Sequence, residues 1–318
     1  MTKEIVLNKI YSIRDEARRI LDDSRDLAVL NEESINSVLA GRVLRLRNVG
    51  MGNIAKAGKL PMENELGLSL FFNVVNFCFK DPYSGLEYSY KNREGLEIKR
   101  STGLLTALRQ SGIDWNDLGM ASSITEKDWK QIIQLDENKG FYLGEERRLR
   151  IVGLADCFMD MGNIKAVDFL EPSGFDAFTI IGRLERSGFF KDRFLKRAQL
   201  AVRSIDNNLR EGGLSGVANI EKLTCMADYR LPQVFYNLGS IRLSNELEGK
   251  LINGVILQTE GREEEALRSS VIVIGKMLSD ILEINETEVD SLLWNLSQIM
   301  ERNGEMKIPH MLVATDKY

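Results

Sequence analysis

One short segment of the chain combines four kinds of polar side chain that could recognise or transform a small ligand. Within residues 228–233 it contains a carboxylate, a phenol, a guanidinium and a carboxamide, namely Asp228, Tyr229, Arg230 and Gln233. Pro232 predicts that a helix begins here, because proline is favoured in the first helical turn. Asp228 is either a ligand contact or a structural group, and general frequencies favour a helix cap or an ion pair with Arg230.

A second carboxylate of interest lies on a predicted helix over 287–301. Its core stripe consists of apolar residues at helical spacing, namely Val289, Leu293, Leu296 and Met300. Asp290 and Asn295 lie beside that stripe, about one and a half turns apart. The common interpretation of such a flank is a solvated surface, and the alternative is a pair of polar groups that face a ligand.

Adjacent cations, Lys196 and Arg197, occur within a predicted helix over 191–210. A basic pair on a helix is usually solvated. In a cleft the same pair could bind one phosphate, with the lysine as a point charge and the arginine as a planar fork.

Composition excludes several classes of protein. Among 318 residues there are three cysteines without CxxC spacing and one histidine, His310, so we expect no metal site. Nucleotide-binding patterns of the GxxxxGK[ST] and GxGxxG types are absent. The formal net charge of −5 argues against nucleic-acid and membrane partners. We expect a cytoplasmic protein that needs no cofactor, and the sequence does not indicate an oligomeric state.

Hydrophobic periodicity predicts one mainly α-helical domain over 1–318. The predicted helices are 4–22, 32–46, 103–110, 126–135, 143–161, 175–185, 191–210, 232–238, 244–252, 263–283 and 287–301. Thr125 followed by Asp128 predicts a capped helix start. An apolar run over 66–80 should be buried at its centre. Turn residues divide 76–100 into a small β-hairpin or meander, which we expect to be the only sheet.

Five segments of the chain resemble the queuosine salvage proteins, in the family's order and at about its spacing. They are Asp23–Asp26, Asn76–Phe79, Glu145–Arg147, Lys196–Gln199 and Ala227–Gln233. The last segment is the most specific. The resemblance implies a helical fold similar to that of base-excision DNA glycosylases. It also implies hydrolysis of queuosine 5′-phosphate to queuine and ribose 5-phosphate, without a metal or redox cofactor.

The resemblance also assigns candidate site residues by position. The family's motif Asp falls on Asp228, its Lys before Arg-Ala-Gln falls on Lys196, and an Asp of its C-terminal helix falls on Asp290. Where the family has a second Asp five residues later, this chain has Asn295. Another family Asp is replaced by Ser204. The family's histidine before the Asn-Phe segment has no counterpart within 50–61.

These residue types suit cleavage of an N-glycosidic bond. A carboxylate can stabilise an oxocarbenium ion or activate water, and a second can bind the guanine-type edge of a 7-deazapurine. Asp228 and Asp290 are assigned to these roles without deciding which does which. Asn295 could orient water but cannot accept its proton.

Other residues would bind the rest of a small nucleotide substrate. Lys196, with Arg197, is the candidate for the 5′-phosphate. Phe77, Phe79 and Met226 could flank the base, although core packing explains them equally well.

Two other functions remain open from the sequence. The departure at Asn295 and the missing histidine favour a non-catalytic relative that binds a nucleotide or modified base. A helical DNA glycosylase or DNA-binding protein is the third alternative, and the acidic net charge argues against it.

Overall fold

A computed structural model describes residues 3–49, 60–135 and 141–317 of the chain. Their architecture is mainly helical, as the sequence predicts. They fall into two compact units, and each is described by itself. The first comprises 3–6, 60–135, 141–220 and 315–317, and the second comprises 7–49 and 221–314. Among the helices of this described part, none is long and apolar enough to cross a membrane.

The first unit contains eight of the helices described and one hairpin. The helices are α4 (Met62–Val74), α5 (Arg100–Gln110), α6 (Leu118–Ser122), α7 (Glu126–Ile132), α8 (Gly144–Asp160), α9 (Ala166–Leu170), α10 (Ala177–Arg186) and α11 (Lys196–Glu211). Strands β2 (Ser89–Lys91) and β3 (Glu97–Lys99) pair antiparallel, which confirms the predicted hairpin.

The second unit contains the remaining helices described. They are α2 (Glu32–Ser34), α3 (Ala40–Val49), α12 (Leu231–Asn237), α13 (Asn245–Ile252), α14 (Arg262–Leu282) and α15 (Glu286–Arg302), with a π-helical turn at Ile35–Leu39. Helix α1 (Lys3–Asp23) has its first residues in the first unit and the rest in the second. Helices α12, α14 and α15 pack on one another, and α15 also packs on α3.

Two small sheets in the second unit contradict the prediction of a single sheet. Strand β1 (Ala28–Leu30) pairs antiparallel with β4 (Ile241–Leu243), and β5 (Ile256–Leu257) pairs parallel with β6 (Leu312–Val313). Each strand has only two or three residues. Runs that short carry no alternation of apolar and polar residues, and their partners are distant in sequence, so neither pairing had a local signal.

Several predicted helices are confirmed, with changes at their ends. The capped start at Thr125 is present, because Thr125 and Asp128 form a reciprocal capping box. Helix α11 begins at Lys196 rather than at residue 191, after Leu195 with a left-handed φ of 55°. Helices α4, α6 and α9 were not predicted. Helix α4 lies in a nearly continuous apolar run without a helical stripe, and α6 and α9 have only five residues each, too few for a periodic pattern. The glycines of 50–58 predict a loop after the second helix, and that segment lies outside the described residues.

Helix α4 is the centre of the first unit, because it packs against α5, α8, α9 and α11. It includes most of the apolar run, and all its residues from Glu65 to Val74 are buried. A helix that is apolar on all sides is stable only when other elements surround it. Its polar residues Ser69 and Asn73 point to α11, where Asn208 donates to Ser69 Oγ at 2.9 Å and Asn73 donates to Ser204 Oγ at 3.1 Å.

The chain that follows α4 is held by Arg147 of α8, a fully buried residue. Its guanidinium donates to the carbonyls of Val75, Phe77 and Cys78, the last two at 2.6 and 2.8 Å. The guanidinium carbon also lies 4.0 Å from the centre of the Phe77 ring. One arginine therefore satisfies several buried carbonyls that have no strand partner.

We expect Arg147→Met to lower the free energy of unfolding by at least about 3 kcal/mol, because buried carbonyls would lose a charged donor. Urea unfolding followed by circular dichroism measures the change. Lys130→Met, which removes an exposed cation paired with Glu126, is the control and should leave the unfolding midpoint nearly unchanged. Equal midpoints for the two variants would contradict a stabilising role for Arg147.

Candidate active site

The segment that contains Asp228 lies in the second unit and belongs to no helix or strand over 223–230. Residues 223–227 are buried, whereas 228–230 are partly exposed. Buried backbone outside regular structure needs other hydrogen-bond partners. Here charged side chains supply several of them.

Two arginines donate to carbonyl groups at either end of the buried stretch. Arg14 of α1 donates from Nη2 to the carbonyls of Lys222 and Leu223 at 3.0 and 3.2 Å. Arg268 of α14 donates from Nε to the carbonyl of Ala227 at 3.0 Å. Hydrogen bonds from a charged donor are stronger than neutral ones, so both ends of the stretch are held firmly.

Two carboxylates of α15 accept the amides between those ends. Glu286 accepts from the Cys225 amide at 3.3 Å, and Asp290 accepts from the Met226 amide at 3.0 Å. Residues four apart lie on the same face of a helix, so both carboxylates face the segment. Glu286 also pairs with Nε of Arg14 at 2.7 Å, which joins the two sets of contacts.

Asp228 forms a turn and does not cap a helix. Its Oδ1 accepts from the Arg230 amide at 2.5 Å, the contact of an Asx turn. The N-cap of α12 is Arg230, and the guanidinium of Arg230 binds Ser297 and Glu301. The helix-cap alternative for Asp228 is therefore wrong, and the partners of this guanidinium are on α15.

Asp290 is buried, with 5% of its surface exposed, so the solvated-flank interpretation is wrong for it. Its partner Met226 precedes Asp228 by two residues, which span at most about 7 Å of extended chain. The segment therefore brings the two predicted aspartates into one neighbourhood. Asn295 lies on the same helix and is partly exposed, while the predicted core stripe of this helix is buried.

The predicted phosphate-binding pair lies in the first unit, at the start of α11. Lys196 is 4% exposed, and its amide donates to Asp192 at 2.9 Å. Arg197 is also buried and donates to the carbonyls of Val74, Phe189 and Lys317. The solvated-surface alternative is thus wrong for both cations. The Arg197 contacts favour a role in holding the backbone over direct contact with a phosphate.

Burial lowers the pKa of Arg197 to about 9, and the nearby Arg150 acts in the same direction. The guanidinium still carries its proton at neutral pH, which its three carbonyl partners require.

The three residues predicted to flank a base are all buried. Phe77 is 1% exposed and lies against guanidinium groups, including those of Arg147 and Arg197. Phe79 is 5% exposed, and its ring centre lies 6.3 Å from that of Phe141. These contacts agree with the core-packing alternative for both phenylalanines. Met226 is 2% exposed and belongs to the segment that Asp290 holds.

Sequence reasoning did not find the charged residues that hold this segment. Arg14, Glu286 and Arg268 look like ordinary solvated positions of amphipathic helices. The available signal was the pair Glu264 and Arg268, which has ion-pair spacing in the first turns of α14. The single histidine of the chain, His310, has its ring centre 5.4 Å from that of Tyr229, the residue after Asp228. Within the described ranges, no cluster of three or more His, Cys, Asp or Glu residues could hold a metal ion.

The described residues thus form a mainly helical protein in which one buried segment carries Asp228 at its end and binds Asp290. The family model for the queuosine salvage protein matches residues 62–316. The chain belongs to the queuosine salvage protein family.

Its relatives include three proteins named queuosine 5′-phosphate N-glycosylase/hydrolase. The Bos taurus protein is 33% identical over 118 residues, which are 33% of this chain and 35% of that protein. The Sphaerobacter thermophilus protein is 26% identical over 247 residues, covering 72% and 75% of the two chains. The Nematostella vectensis protein is 27% identical over 270 residues, covering 74% and 77%. The chain thus matches about a third of the length of the bovine relative and about three quarters of the other two.

Burial shifts the pKa of Glu286, so the stability of the protein should depend on pH through this carboxyl group. Desolvation raises its pKa above the ordinary value of 4.5, although Arg14 and the Cys225 amide oppose the shift. The folded state therefore binds this proton more tightly than the unfolded state, and its contribution to stability falls as pH rises from about 4.5 through the folded-state pKa.

We expect Glu286→Gln to remove this part of the pH dependence. The free energy of unfolding of the variant, minus that of the wild type, should become more positive between pH 4.5 and 7.5. Urea titrations across that range measure the difference. Glu288→Gln, on the partly exposed side of the same helix, is the control. Parallel profiles for wild type and Glu286→Gln would show that Glu286 does not titrate as expected.

Proposed function

We propose that this protein hydrolyses the N-glycosidic bond of queuosine 5′-phosphate or a related 7-deazaguanine nucleotide. The products are the free base and ribose 5-phosphate. The observation that carries the proposal is the family match over 62–316, together with the motif aspartate Asp228 next to a segment whose backbone binds Asp290. The relatives named for this activity support it.

The chemistry requires positive charge to be stabilised on the ribose while the base departs. Water adds to the anomeric carbon as the bond to the base breaks, and the water proton passes to a carboxylate or to the base. A preorganised carboxylate serves this reaction better than bulk water, because it need not reorient as charge develops. A 7-deazapurine has carbon at position 7, so help to the leaving group comes through its pyrimidine edge.

Asp228 and Asp290 are our candidates for these two tasks. Asp228 is partly exposed and can meet a ligand, whereas Asp290 is buried and binds the Met226 amide. Environments that differ in this way can give two carboxylates different roles. Asn295, on the same helix as Asp290, would orient water by hydrogen bonding without accepting a proton.

Lys196 is our candidate for the 5′-phosphate. Its support is the match of its position to the family's lysine and its place as the first residue of the 16-residue helix α11. The ammonium group would supply the positive charge for the phosphate, because the Lys196 amide already donates to Asp192. Arg197 would support it by fixing the start of α11, as its carbonyl contacts indicate. Phe77, Phe79 and Met226 remain candidates for the wall beside the base.

We also propose that residues 1–318 act as one functional domain in the cytoplasm. The family match includes residues of both compact units, which supports a shared function. The net charge of −5 supports a small-molecule substrate over a nucleic acid.

Asn295 favours a second candidate function, a binding protein without turnover. An amide at a position where the family has an acid cannot act as a general base. Such a protein would bind the nucleotide or the modified base and release nothing.

We expect Asp228→Asn and Asp290→Asn each to lower the rate of base release by about 10²- to 10⁴-fold, the range for loss of a catalytic acid or base. Asparagine keeps an acceptor oxygen, so the backbone contacts of both side chains can persist. Mass spectrometry of free base, after incubation with queuosine 5′-phosphate, measures the rate. Asp280→Asn, which alters an exposed ion pair with Lys276, is the control.

Base release from the wild type that both substitutions leave intact would refute these catalytic roles. Tight binding of the nucleotide by the wild type without any release would select the binding protein instead.

We expect Lys196→Met to raise KM for queuosine 5′-phosphate by about 10- to 100-fold, because a charged hydrogen bond to the phosphate is lost. KM for the nucleoside without phosphate should change little. Steady-state kinetics with both substrates gives the comparison, and Lys191→Met, at an exposed lysine nearby, is the control. Equal effects on both substrates would remove Lys196 from phosphate binding.

A further inference from the structure

Helix α14 carries an ion pair in the interior of the second unit. Glu264 and Arg268 are one turn apart, and their side chains are 0% and 2% exposed. Nη1 of Arg268 lies 3.4 Å from Oε1 of Glu264, and Oε2 of Glu264 accepts from the Glu260 amide at 2.9 Å. Burying two charges is costly, and an apolar pair of similar size is often more stable. This buried ion pair is therefore weak evidence of a stabilising role, and its other contacts indicate a different one.

Arg268 is bonded to the residue that precedes the motif aspartate. Its Nε donates to the Ala227 carbonyl at 3.0 Å. That carbonyl and the amide of Asp228 belong to one planar peptide group. The Cα atom of Asp228 lies in the same plane. A hydrogen bond that fixes the Ala227 carbonyl therefore also restricts the position of the Asp228 side chain.

Arg268 binds the peptide group between Ala227 and Asp228, and other groups bind the main chain on either side of it. On one side, the Met226 amide is bound to Asp290 of α15. On the other, the Asp228 carboxylate turns back to the Arg230 amide. Between these two contacts, Arg268 holds the carbonyl that joins the buried stretch to the turn.

We propose that Arg268 is a positioning residue for Asp228, and that Glu264 holds the Arg268 guanidinium in place for this task. The inference rests on the proposed function, because it assigns Asp228 a role in the reaction. Arginine suits the position better than lysine, since its rigid planar group can bind Ala227 and Glu264 from different nitrogen atoms. A displacement of a reacting group by about 1 Å can lower a rate by about 10²-fold, so fixing one peptide plane has a measurable effect.

The test compares Arg268→Met, Arg268→Lys and Glu264→Gln with Lys276→Met, an exposed control on the same helix. Base release from queuosine 5′-phosphate gives kcat and KM, and hydrogen exchange by mass spectrometry follows peptides that cover 223–230. We expect Arg268→Met to lower kcat by about 10²-fold with KM within about threefold of the wild type. Exchange in 226–230 should become faster while the rest of α14 stays protected. Arg268→Lys, which keeps a charged donor group but not the planar fork, should recover part of kcat.

A kcat for Arg268→Met equal to that of Lys276→Met would overturn the proposal. So would a lower kcat with unchanged exchange in 226–230. If Arg268→Met does not fold, Arg268→Lys and Glu264→Gln carry the test, and wild-type kcat and exchange in both would overturn it.

Failure of the proposed function gives a different result, namely no base release by the wild type. Hydrogen exchange then decides the positioning claim alone. Faster exchange confined to 226–230 in the Arg268 variants supports it, and unchanged exchange overturns it.

Discussion

The candidate site depends on one constraint, the need to satisfy the buried backbone of residues 223–227 without a helix or a sheet. Arg14 and Arg268 bind its carbonyls, and Glu286 and Asp290 bind its amides. Cations at the two ends of the stretch and carboxylates between them thus satisfy main chain that would otherwise be unstable in the interior. A segment held by rigid helices in this way can carry a polar group such as Asp228 at its end in a fixed position.

Much of the helical architecture could be predicted because it has local causes. Apolar spacing marks α15, and the reciprocal contacts of Thr125 and Asp128 mark the start of α7. The pairing of β1 with β4 has no such cause, because its residues are more than 200 positions apart and each strand is three residues long. Tertiary contacts decide elements of that kind.

The site was predictable only in part, for a related reason. The motif predicted Asp228, and the family position predicted Asp290. Asp290 accepts a hydrogen bond from the Met226 amide, two residues before Asp228 in the same segment. The residues that hold that segment, such as Glu286 and Arg268, have the sequence pattern of ordinary helix surfaces. Their burial follows from which helix face meets a neighbour, which a single sequence does not specify. Lys196 and Arg197 also looked like surface cations and are buried.

The arginines that bind the chain after α4 have a consequence for how the first unit is made. Four carbonyls of this stretch obtain donors from Arg147 and Arg197, which a ribosome adds about 70 and 120 residues later. Until then these carbonyls lack their charged donors, although the Phe77 amide can already bond the Val75 carbonyl. These hydrogen bonds can therefore be completed only after synthesis has passed Arg197, so a fragment that ends earlier lacks part of what holds the end of α4 in place.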